Sequence, residues 1–97
     1  MALSGSHKRL FQIETGVQAV MVAASLKKLA KNPSDENESA KLLTCIDVII
    51  GDAKFLGDKK LEENAKMITN LFQKPTEERN HQNINVLLNQ FTKLVWD

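Results

Sequence analysis

The side chains able to make and break bonds in this 97-residue chain are few: one thiol, Cys45, and two imidazoles, His7 and His81, with no tyrosine. A cysteine nucleophile needs a base beside it, and only folding could bring His81 there. Cys45, however, falls between Leu42 and Ile49 on the apolar side of a helical repeat, where thiols behave as small hydrophobes. No catalytic residue is assigned on this basis, and the chain reads as a non-enzyme. Two imidazoles and one thiol in three separated segments match no metal-ligand spacing such as C-x-x-C or H-E-x-x-H, so no metal site is expected. Gly51-Asp52 and Gly57-Asp58 lack the repeated acidic spacing and closing Glu of a calcium loop and read as helix punctuation. The four glycines, at 5, 16, 51 and 57, are too scattered to cradle a phosphate, so no cofactor and no small-molecule substrate are indicated.

Binding surfaces remain. From Asn80 to Thr92 the chain carries no Asp, Glu, Lys or Arg. On a helix, Gln82, Asn85 and Asn89 form one stripe that continues to Trp96, with Val86 on its flank. Exposed helix faces normally hold charge, and charge depletion beside an aromatic is what contact surfaces show. Gln82, Asn85, Val86, Asn89 and Trp96 are therefore the expected partner-binding residues. Lys27, Lys28, Lys31, Lys59 and Lys60 lack interleaved aromatics or arginines and read as solvated helix ends rather than a nucleic-acid surface.

The elements that must position these residues are helical. At about 100° per residue, Leu10, Ile13, Val17, Val20, Met21 and Ala24 share one face of the first segment, while Phe11, Val22, Leu26 and Leu29 share another. A helix apolar on two sides needs neighbours on both, which places it centrally in a bundle or in an oligomer contact. Gly16 stands on the side of Ala19 and Ala23, which suggests a close helix crossing there. The segment should start at a Ser4 or Ser6 cap and stop near Lys31, before Asn32-Pro33. Ser34 then caps a second helix with Leu42, Cys45, Ile46, Ile49, Ala53 and Leu56 at helical steps; Gly51 is a possible early break and Gly57 the end. Asp58 caps a third, whose stripe is Leu61, Ala65, Ile68 and Phe72 and which stops at Lys74-Pro75. Thr76 starts a fourth, with Ile84, Leu87, Leu88, Phe91, Leu94 and Val95 inward. Glu38–Ile46 and Glu63–Leu71 share the pattern E-x-A-K-apolar-apolar-T-x-apolar, which two helices meeting one packing demand would explain without duplication.

Short connections make consecutive helices antiparallel neighbours. The expected fold is all-α, an antiparallel up-down-up-down four-helix bundle with helices at about 6–31, 35–56, 59–73 and 77–96, in a single domain 1–97 with 1–5 a flexible leader. Hydrophobic residues at 42%, charged residues at 26% and a net charge of +1 fit an ordinary globular chain and give no long-range pull toward nucleic acid or anionic lipid. A lone cysteine excludes an internal disulfide, and no apolar run reaches the roughly 18 residues of a membrane span. The chain thus reads as cytoplasmic. The expected function is a small helical protein–protein interaction module, an adaptor, chaperone-like subunit or inhibitor, that meets another protein or a second copy through a helix face. The competing expectation is a dimeric nucleic-acid-associated regulator that uses the lysine-rich helix ends.

Overall fold

The computed structural model describes residues 5–74 and 78–96, with side chains from Arg9 onward. They form four helices, α1 (Gly5–Lys31), α2 (Glu36–Leu56), α3 (Lys59–Gln73) and α4 (His81–Trp96), and the described residues contain no strand. Local chemistry sets the ends. The Asp35 carboxylate accepts from the Glu38 N–H at 3.0 Å and caps α2, so the cap falls one residue beyond Ser34, whose hydroxyl donates instead to Asn32 Oδ1 at 3.1 Å. Asp58 caps α3 in the same way, accepting from the Leu61 N–H at 3.1 Å. Gly57 closes α2 with φ of 74°, the left-handed conformation that glycine adopts without a Cβ penalty. Gly51 does not break the helix: α2 runs through it unbroken. Lys74, which precedes Pro75, is extended and ends α3.

Two starts differ from expectation. α1 is already helical at Gly5, so Ser6 lies within the helix; Ser4 lies outside the described residues, as does the rest of the expected leader, 1–4. α4 begins at His81 rather than at 77. Thr76 and Glu77 are outside the described residues, but 78–80 are not α-helical, and Asn80 takes the cap by accepting from the Asn83 N–H at 2.8 Å. The buried Arg79 holds this segment down: its guanidinium donates to Glu36 Oε1 at 3.0 Å and Ser39 Oγ at 3.4 Å, and it lies 5.8 Å from the centre of the Phe72 ring. A helical path from residue 77 would compete with that docking.

α1 packs on α2 and α4, and α3 packs on the same two helices. Phe11 stacks on Phe55 with centroids 4.0 Å apart, and Ser25 donates to Glu38 at 2.8 Å, so the two ends of the α1–α2 seam are fixed by different chemistry. The core is built from Val22, Leu26, Leu29, Leu42, Ile46, Ile49, Ile68, Ile84 and Phe91, each at most 1% exposed. The molecule measures 45 × 22 × 20 Å, and a 27-residue helix such as α1 spans about 40 Å at about 1.5 Å per residue. The shared pattern of α2 and α3 does not reflect a shared packing position: Leu42 is fully buried while its counterpart Met67 is 51% exposed, and Ala40 is exposed while Ala65 is buried.

The principal correction concerns α1. Its Val22–Leu26–Leu29 face enters the core, but Leu10, Ile13, Val17, Val20 and Met21 are 50–62% exposed, and Ala24 is exposed as well. α2 and α4 pack on the helix and α3 packs on those two, so the partners of α1 meet one side of it and leave the opposite side open. The close crossing expected at Gly16 is also missing, since a Cβ built there would meet no atom within 4 Å. Ala19 and Ala23, by contrast, are buried.

Candidate protein interface

Cys45 and His81 are occupied by the fold, and the His7 side chain lies outside the described residues. Cys45 is buried on α2 among the core residues. His81 bonds through both ring nitrogens: Nδ1 lies 2.9 Å from the Ala30 carbonyl and Nε2 lies 3.0 Å from Asn85 Nδ2. A carbonyl only accepts and an amide nitrogen only donates, so the ring carries its hydrogen on Nδ1 and accepts at Nε2. His81 thereby ties the start of α4 to the end of α1. Among the described residues, no three His, Cys, Asp or Glu side chains gather around a point that could hold a metal ion. The lysines do not gather either. Lys27, Lys28 and Lys31 stand at the α1 end that meets His81, whereas Asp58 and Leu61, next to Lys59 and Lys60, line a cavity with Gln12 and Thr15 from the other half of α1.

One buried acid stands out. Asp52 on α2 is 4% exposed and its Oδ2 lies 3.3 Å from the Thr15 hydroxyl of α1. Burial pushes its carboxyl up from 3.8 to about 6; the hydrogen bond and charge of Glu14 push the same way, and the Thr15 hydroxyl opposes them. Thr15 has one hydroxyl hydrogen and a nearer acceptor for it, the Phe11 carbonyl at 2.8 Å. The longer Thr15 bond to Asp52 favours the carboxylate, and burial together with Glu14 outweighs it. The arrangement is a buried acid at the α1–α2 seam that keeps its proton to a higher pH than a free carboxyl.

Two surfaces present themselves for binding. On α4, the expected residues do share an outward face: Gln82, Val86, Asn89 and Trp96 are exposed, and Asn85 is half-buried. Asn85, however, is engaged with His81, and Trp96 makes an edge-on contact with Phe91 at 6.4 Å. Trp96 also lines the cavity that Gln12, Thr15 and Gly16 of α1 border, so this stripe runs beside α1 at both ends.

The second surface, on α1, is the one sequence reasoning assigned to the bundle interior or to an oligomer contact, and the bundle leaves it open. Leu10, Ile13, Val17, Val20 and Ala24 follow alternating steps of three and four, a heptad seam with Leu10, Val17 and Ala24 at a and Ile13 and Val20 at d. From Leu10 to Ala24 it is about 21 Å long at about 1.5 Å per residue. Met21 and Ala24 also line a groove of about 460 Å³ between α1 and α2, with Ser25, Thr44 and Cys45 in its wall and Lys28, Glu38 and Lys41 around it. One difference in sequence between the two faces of α1 agrees with this outcome. The core face stays apolar to Leu29 and Ala30, whereas the open face turns to Lys27, Lys28 and Lys31 after Ala24.

Comparison of the chain with protein-family profiles, with curated proteins and with solved structures gives no match. No helix among the described residues is long and apolar enough to cross a membrane.

Proposed function

We propose that this chain is a small non-enzymatic protein–protein interaction module, of the adaptor, chaperone-like or inhibitor kind, that works in the cytoplasm and binds through the open face of α1. The observation that carries the reading is the row of five large apolar side chains, Leu10, Ile13, Val17, Val20 and Met21, each at least half exposed on one face of one helix. Scattered apolar residues on a surface need no explanation, but a contiguous patch of this kind marks a contact site. Completing the burial of each side chain is worth about 1 kcal/mol, half of the usual value for a full transfer, so this face offers a partner on the order of 5 kcal/mol. Association costs about 4–15 kcal/mol, so the partner has to bring apolar surface of its own. The mode is a helix face laid against a complementary helix or groove. The α4 residues Gln82, Asn85, Val86, Asn89 and Trp96 form the polar flank of the same contact.

The reading includes an antiparallel up-down-up-down arrangement of the single domain. It is supported by the pairings of Phe11 with Phe55 and Ser25 with Glu38, and of Ala30 with His81 and Gly16 with Trp96, in which rising numbers on one helix meet falling numbers on the next. Nothing in the placement of the lysines favours the nucleic-acid reading, since they divide between the two halves of α1.

The test is affinity capture from a cell extract with the wild-type chain and with Val17→Glu/Val20→Glu. Both positions face solvent, so the helical circular dichroism should be unchanged. Loss of every captured partner in the double variant is the expected result. Retention of the same partners would place the binding surface elsewhere, and Gln82→Lys/Asn89→Lys then asks whether α4 carries it alone.

A further inference from the structure

The open seam on α1 is self-complementary in one orientation. Written as heptads, Arg9 occupies g, Leu10 a, Ile13 d, Glu14 e, Val17 a, Val20 d, Met21 e and Ala24 a, and the next core positions, Lys27 and Lys31, are charged. In a parallel pair of helices each a and d residue meets its own counterpart, and a g residue on one strand reaches the e residue five places on in the other. Arg9 and Glu14 stand five apart at those two positions, both are exposed, and their charges are opposite. An antiparallel pairing that keeps every core layer apolar sets Leu10 against Val20 and Ile13 against Val17. That register brings the two Glu14 carboxylates together on one flank and leaves Arg9 beside Gly16 and Ala23. The parallel register has no such penalty.

Resting on the reading of this face as a protein-binding surface, we propose that its partner is a second copy of this chain. The two α1 helices lie parallel and in register from Leu10 to Ala24, and Arg9 of each copy pairs with Glu14 of the other. A second copy supplies what the contact requires of a partner, because it brings the same five exposed side chains, so that ten become covered. The seam ends where Lys27 would meet Lys27 and Lys31 would meet Lys31, which fixes its length and its register together. Glu14 sits next to the carboxyl of Asp52, and an arriving guanidinium is favoured by two neighbouring acids over one. A membrane surface is the lesser candidate, since the basic residues lie at the ends of the stripe and an acid stands on its flank.

The experiment uses the purified full chain. Light scattering across a hundredfold range of concentration should give twice the chain mass at tens of micromolar, and Val17→Glu should give the single mass with unchanged helicity. Leu10→Cys on a Cys45→Ser background should form a disulfide-linked dimer on mild oxidation, because Leu10 meets Leu10 in the parallel register alone. Arg9→Glu or Glu14→Arg should each weaken the dimer about tenfold, and the two together should restore it. A dimer in which Leu10→Cys does not cross-link, or in which the charge swap restores nothing, overturns the parallel seam. A chain that stays monomeric at every concentration overturns self-pairing, as does a monomer that binds anionic phospholipid vesicles through Val17. The capture experiment above, being independent of the mass, then decides whether the face still binds a different protein.

Discussion

Asp52→Asn tests whether the seam between α1 and α2 holds a proton at mildly acidic pH, where a free carboxyl has already lost it. The folded chain keeps the Asp52 carboxyl neutral up to about 6, against 3.8 for a free one. Between these values the folded state binds a proton that the unfolded chain has released. The stability that this group supplies is therefore complete below the free value and declines as pH rises through the folded one. Each pH unit in that window withdraws about 1.4 kcal/mol, so the whole effect is on the order of 3 kcal/mol, with about 2 kcal/mol of it between pH 4.5 and 7.5. Asparagine cannot ionise, yet its oxygen still accepts from Thr15 and its amide can donate toward Glu14. The variant should therefore match or slightly exceed wild type at pH 4.5 and exceed it by on the order of 2–3 kcal/mol at pH 7.5. For a domain of this size that raises the thermal midpoint by on the order of 10 °C. Thermal melts followed by circular dichroism at the two pH values, at matched ionic strength, measure it. A variant less stable than wild type at both, or displaced equally at both, would show that the fold uses the carboxylate and that the proton argument is wrong.

Three further outcomes follow from the packing. Arg79→Ala should cost about 2 kcal/mol in urea unfolding, because it uncovers Phe72 and strips a partner from the buried Ser39. Glu36→Gln should cost under about 1 kcal/mol, since the Glu36 side chain is 72% exposed; equal losses would mean that the ion pair, and not the burial, anchors the segment. Gly51→Ala should stabilise by about 0.5–1 kcal/mol, for α2 runs straight through an exposed glycine whose added Cβ would meet nothing within 4 Å. A loss of stability on that substitution would show that α2 relies on a bend at Gly51.

The sequence by itself determined what is set within a few residues of chain. Four helices, the Asp58 cap, the Gly57 stop, the halt before Pro75 and the inward stripes of α2, α3 and α4, save for the exposed Leu94, follow from short-range rules of capping, backbone restriction and periodicity. Even the local miss, Asp35 in place of Ser34, is a choice between neighbouring caps. The α4 start needed one long-range fact, that Arg79 docks on Glu36 and Ser39 of α2. The same limit governs the candidate site. Periodicity detected both apolar faces of α1 but could not say which would be covered, because that depends on how many helices fit around α1 and on which side they stand. α2 and α4 pack on one face, and the tertiary arrangement sends Val22, Leu26 and Leu29 inward while Leu10, Ile13, Val17 and Val20 stay open. Burial is a property of the whole packing, whereas helix formation and helix ending are properties of the residues next door.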